Sequence, residues 1–191
     1  MAAAVATNVI LLLVACTLAL SVSAKPVDYA DCGYPNGTET QLNVFNCDPS
    51  TYAPSAVITF DNGTSNYPVD PSKPFVLQLL SYNYGDQYND NKVDVQIYEY
   101  AKGLGSSTCS WNAVPTFGLL NNIDGCNFAH NCPLTQKQLT LNIRLDLSQF
   151  SVIINALAKN KPYQLTITMK NGNTGSAGEK IACVIAQLNI I

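Results

Sequence analysis

The chain has 191 residues, room for one domain or two small ones. Of these, 47% are apolar and only 12% charged, against about 25% charged in an ordinary soluble domain, which excludes a long disordered tail. The net charge is −3 and no run of Lys or Arg occurs, so the stripe that displaces counterions from nucleic acid is missing and no nucleic-acid partner is expected.

At the N-terminus, Val9 to Leu20 (VILLLVACTLAL) is apolar except for Thr17. Such a stretch is too short to cross about 30 Å of hydrocarbon as a helix, but it suits the apolar part of a secretory leader. Val22, Ser23 and Ala24 then place small or apolar residues before a cleavage point. Residues 1–24 therefore read as a signal peptide removed before Lys25, although the segment ahead of the apolar run carries no Lys or Arg. With no second long apolar run, 25–191 is expected to be one secreted, soluble, monomeric domain, large enough for its own core.

Cysteine usage fits an oxidising compartment. Of the seven cysteines, Cys16 lies in the leader, leaving Cys32, Cys47, Cys109, Cys126, Cys132 and Cys183. An even count in a secreted chain reads as three disulfides, with the pairing left open by the count alone. Zinc is the rival, but no CxxC pair occurs and the one histidine sits between two cysteines of a single short loop. Two acceptor motifs, Asn36-Gly37-Thr38 and Asn62-Gly63-Thr64, predict glycosylation at Asn36 and Asn62.

Along the rest of the chain, the recurring signal is the period of two that marks half-buried strands. Strands are predicted at Gln41–Cys47, Ala56–Asp61 and Phe75–Tyr84, then through Val93, Val95 and Ile97 after the turn residues Asn89-Asp90-Asn91. The clearest is Gln138–Leu147, where Leu139, Leu141, Ile143, Leu145 and Leu147 alternate with Thr140, Asn142, Arg144 and Asp146. Ser148–Lys159 has a brief helical spacing through Phe150, Ile153, Ile154 and Leu157 and is read as a loop with one helical turn at most. Tyr163, Leu165, Ile167 and Met169 alternate again, and Lys180–Ile190 completes about seven strands. The fold class is therefore an all-β, two-sheet antiparallel sandwich. An antibody-type domain is not expected, because Trp111 follows Cys109 in a segment with Pro115 and Gly118.

Little in the chain suggests catalysis. A nucleophile needs a base, and His130 lies in the loop Cys126–Cys132, where it reads as an exposed loop residue. The acids sit mainly in polar turns (Asp86, Asp90, Asp94), and Asp86–Asp94 lacks the glycine and terminal glutamate of a calcium loop. No Gly-rich phosphate loop joins a strand to a helix. A non-enzymatic protein without cofactor or metal is the expectation. Tyr82, Tyr84 and Tyr88 cluster near one strand end and could stack on sugar, but covering a sheet is the commoner use of such residues.

The ordered cysteine framework is more specific. Asp31-Cys32-Gly33 precedes the first strand, Asp124-Gly125-Cys126 and Cys132-Pro133-Leu134 stand directly before the best strand, and Ala182-Cys183-Val184-Ile185 lies in the last. This set resembles the ML domain, the myeloid-differentiation-two-related lipid-recognition family of the Niemann–Pick sterol carriers, the ganglioside activator and the group-two mite allergens. The resemblance covers nearly the whole of 25–191. It implies an immunoglobulin-like sandwich of two sheets with one lipid held in an apolar cavity between them. It also implies a first-to-last bridge Cys32–Cys183 and a short-loop bridge Cys126–Cys132, with Cys47 and Cys109 as the remaining pair. The family's tight loop after the first strand is not matched, since no second cysteine follows Cys47 closely, and the longer middle is more similar to the ganglioside activator.

On that resemblance, Val114, Phe117, Leu119 and Leu120 fall where the sterol carriers have an apolar pocket segment. Phe150 falls where they place an aromatic at the cavity mouth, and its polar neighbours Ser148, Gln149 and Ser151 suggest a lid at the surface. The expected ligand is a sterol, fatty acid or glycolipid, with transient contact to a membrane or receptor. Two rivals stand beside this: a secreted innate-immune recognition partner of a receptor, and a disulfide-braced structural module with a filled core.

Overall fold

The alternating segments fold as two antiparallel sheets. The computed structural model describes residues 32–47, 55–60, 63–130, 132–175 and 177–191, so the leader and Asn62 lie outside the described residues. The smaller sheet has the order β2 (Ser55–Phe60), β3 (Phe75–Asn83), β7 (Lys137–Leu145). The larger runs β1 (Asn43–Asn46), β9 (Lys180–Ile190), β8 (Lys161–Asn171), β4 (Asn91–Lys102), β5 (Cys109–Val114), and the two-residue β6 (Ile123–Asp124) also pairs with β4. The all-β sandwich class is as predicted, with nine strands among the described residues rather than about seven. The additions are β5 and β6, which are held by the edge of β4 rather than by a pattern of their own.

A second correction concerns 148–159. Ser148–Phe150 is a 3-10 turn that continues directly into a helix over Ser151–Ala156. This exceeds the single turn expected, because Ile153 and Leu157 on one side of it are buried in the core. We call this helix α2, and the five-residue helix Gly125–Ala129 α1.

Register aligns the inner residues of the larger sheet in rows across β4, β8 and β9. Glu99, Tyr163 and Leu188 form one row, then Ile97, Leu165 and Ala186, then Val95, Ile167 and Val184, and finally Val93, Met169 and Ala182. Burial falls along these rows. Tyr163 is 0% exposed and packs with Val69, Ile97, Leu188 and Ile190 beneath Leu120, Ile153 and Leu157. At the other end Val93 and Met169 are half-buried and Ala182 is exposed. In the smaller sheet Phe75 is buried, whereas Leu77, Leu79, Leu139 and Leu145 remain half-buried. The interior is therefore most deeply packed around Tyr163 and less buried toward Val93, Met169 and Ala182.

The segment from Cys32 to Leu42 crosses the outer face of the larger sheet as a strap. Cys32 bonds Cys109 at the start of β5, Tyr34 Oη donates to the Asn160 carbonyl (3.1 Å), and Asn36 Nδ2 donates to Gln187 Oε1 (2.7 Å). Beyond the strap, β1 pairs with β9, and Cys47 bonds Cys183. The implied pairing of Cys32 with Cys183 and Cys47 with Cys109 is thus corrected: the two bridges exchange partners. The register Asn46↔Val184 brings the next residue, Cys47, opposite Cys183, with Cα atoms 5.4 Å apart. The third bridge, Cys126–Cys132, is the one the resemblance implies. Three disulfides, and no helix among the described residues long and apolar enough to cross a membrane, are compatible with a secreted protein.

Candidate ligand-binding cleft

β4 offers one edge to two partners, and the gap between them shapes the cleft. Its Ile97–Lys102 half pairs with β5 and its Lys92–Val93 end with β6. The chain between β5 and β6 leaves the sheet and is stitched back at two points. Val95 N–H donates to the Leu120 carbonyl (2.8 Å), and Asn122 N–H donates to the Asp94 carboxylate (2.7 Å). The Lys170 ammonium beside Asp94, together with that N–H, holds the Asp94 carboxyl below the usual carboxylate range. The first stitch draws Leu120 into the core at 7% exposure and leaves Leu119 outside at 53%.

Between β6–α1 on one side and the exit of β7 on the other lies an open cleft of about 720 Å³. That volume falls within the range of small-molecule sites. Leu119, Ile123, Phe128 and Phe150 supply its apolar walls. The Phe128 and Phe150 rings meet edge to face with centroids 5.6 Å apart, a favoured aromatic geometry. Ile123 pairs with Val93 and, like Phe150, packs against the buried core, so these two side chains join the cleft wall to the packed interior.

The rim is polar, with His130 among its residues, and carries both signs of charge through Asp124, Arg144 and Asp146. Asp124 caps α1 by accepting from Asn127 N–H (3.0 Å) and also pairs with Lys92 (2.8 Å). Lys92, and secondarily the Asn127 N–H, hold its carboxyl below the usual range. Asp146 is held low first by the Ser148 N–H, with the Arg144 charge a smaller contribution. Both acids therefore remain charged at neutral pH. Asp90, Asp124 and Cys126 bring ligand atoms within 4.8 Å of one another. Lys92 already pairs with both carboxylates, and the Cys126 sulfur is bonded to Cys132, which leaves no thiolate for a metal.

The structure separates the residues singled out from sequence. Leu119 and Phe150 line the cleft together. Val114 sits on β5 opposite Ile97 and packs against the core, and Leu120 is buried within it. Phe117 is 89% exposed beside the cleft-lining stretch, with φ of 51° in the left-handed region. Phe150 is half-buried and touches both the cleft and the core, so it is a wall more than a free lid. Ile123 and Phe128 were not singled out from sequence. The signal for Phe128 was present, since a phenylalanine in a seven-residue disulfide loop has little chain with which to hide itself.

Fold and cleft together define a disulfide-braced all-β sandwich with an open amphipathic cleft between β6–α1 and the exit of β7. No protein-family model and no curated protein matches the chain.

Proposed function

We propose that this protein is a secreted, non-enzymatic lipid-binding or lipid-transfer protein of the ML kind, which takes one sterol, fatty acid or glycolipid between its sheets. The observation that carries this reading is the taper of the interior. The sandwich is most deeply packed around Tyr163 and less buried along Val93, Met169 and Ala182, and an apolar-walled cleft is lined by Ile123, the strand partner of Val93. Burying one CH₂ is worth about 0.8 kcal/mol, so ten of them offer roughly 8 kcal/mol before the costs of binding. The charged rim favours an amphiphile with a polar head over a bare hydrocarbon. The ordered motifs around Cys32, Cys126, Cys132 and Cys183 support the same family.

Transfer needs contact with a donor membrane. Phe117 and Val152, 89% and 74% exposed, lie two residues from the cleft-lining Leu119 and Phe150. Large exposed apolar side chains that neighbour a cleft's lining residues in the chain suit brief contact with a lipid surface. A fluorescent sterol or fatty acid titrated into the protein tests the reading. Saturable one-to-one binding that changes little with added salt is expected, because burial rather than charge drives it. Failure to bind any of several lipid classes would overturn it in favour of a structural module.

A further inference from the structure

The strap across the larger sheet carries an acceptor motif that the cleft does not use. Asn36-Gly37-Thr38 combines an asparagine with a hydroxyl two residues on, the pattern that defines N-glycosylation. It lies in and just after the 3-10 turn Pro35–Gly37, closed by Thr38 N–H on the Pro35 carbonyl (3.1 Å) and Gln41 N–H on the Gly37 carbonyl (3.2 Å). Asn36 has φ of 55°, a left-handed conformation that asparagine tolerates.

The two ends of the motif meet opposite surroundings. Asn36 is exposed, with its amide resting on Gln187. Thr38 is 0% exposed, and its Oγ1 has no hydrogen-bond partner among the described residues. Tyr67 closes over it. The Tyr67 hydroxyl directs its proton at the Thr38 and Gln41 carbonyls and accepts from Asn189 N–H (3.1 Å). On either side the strap is tied covalently, by Cys32–Cys109 and Cys47–Cys183.

We infer that Asn36 is an N-glycosylation site open only before the strap closes, and that the folded domain is inert there. In the cell this rests on the secretory reading above. In the transfer, Asn36 Nδ2 attacks the anomeric carbon of an oligosaccharide carried on a lipid pyrophosphate. An N–C bond forms, the C–O bond to pyrophosphate breaks, one amide proton passes to a base of the transferring enzyme, and the lipid pyrophosphate leaves; nothing is oxidised or reduced. The motif's demand for Ser or Thr means that the enzyme must reach the Thr38 hydroxyl. In the folded domain that requires lifting the strap from Tyr67 and Gln187, a local opening against two disulfides. After transfer the nitrogen keeps one hydrogen for Gln187, and the sugar leaves from an exposed position.

The test uses the processed chain made without glycan, offered to solubilised oligosaccharyltransferase with a lipid-pyrophosphate oligosaccharide. One sample is folded with its disulfides; the other is reduced and alkylated. Peptide mapping reads occupancy at Asn36. The unfolded chain should be modified at least about tenfold faster than the folded one, and Thr38→Ala should abolish modification in both. Equal rates for folded and unfolded chain would overturn the inference. So would an unmodified unfolded chain alongside a modified control peptide in the same tube. Leader cleavage during translation into microsomes reports on the secretory reading separately, so its failure is distinguishable from failure of the seal.

Discussion

Phe128 and Phe150 come from segments over twenty residues apart in sequence, yet their rings meet edge to face at 5.6 Å and join the two walls of the cleft. Phe128 is fixed by the Cys126–Cys132 loop, and Phe150 by the 3-10 turn that leads into α2.

Phe150→Ala should therefore do two things. Full burial would make the truncation cost about 3–5 kcal/mol, but Phe150 is only half-buried, so a smaller loss of about 1–2 kcal/mol is expected, with faster lipid release. A double-mutant cycle with Phe128→Ala should show coupling of about 0.5–1.5 kcal/mol. Additive effects in denaturant unfolding would separate the two walls.

Peptide mapping without reduction should recover Cys32–Cys109, Cys47–Cys183 and Cys126–Cys132. Cys47–Cys183 spans 136 residues, so in the chain-entropy model its removal should cost about 5 kcal/mol. Recovery of Cys32–Cys183 would contradict the register of β1 against β9.

Much of this architecture is legible in the chain and some is not. The alternation from Leu139 to Leu145 specifies a strand because a period of two leaves one face to be buried. β5 and β6 are invisible because each exists only where β4 offers it an edge. Leu119 and Leu120 are chemically identical neighbours, and a single backbone hydrogen bond from Val95 decides which lines the cleft. The cysteine partners follow from strand register, which a count of cysteines does not contain.

Glu99 stands on the inner face between Tyr163 and Asn112, with Oε1 buried and without a hydrogen-bond partner among the described residues. Burial raises its pKa above the usual glutamate value, and the nearby Lys161 opposes the rise only in part. The folded state thus holds this proton more tightly than the unfolded chain. Stability should fall as pH rises from the ordinary value near 4.5 through the raised one. Glu99→Gln should melt higher than wild type at neutral pH and converge with it in acid. Parallel melting curves across that window would refute the assignment.

At Gly125 an added Cβ would come within 1.9 Å of Asn91 Oδ1. Asn91 is fully buried and donates to the Cys132 sulfur (3.0 Å), so it has little freedom to yield. Gly125→Ala should cost about 1–3 kcal/mol and loosen the cap that seats Phe128. Unchanged thermal unfolding would show that Asn91 can move aside.

The central claim is most directly tested by native mass spectrometry of the protein purified from a eukaryotic secretory host. One lipid per chain is predicted, lost on Leu119→Asp, which alters an exposed cleft residue and should leave the core folded. A ligand-free mass for well-folded wild type that persists after incubation with sterols, fatty acids and glycolipids would contradict it.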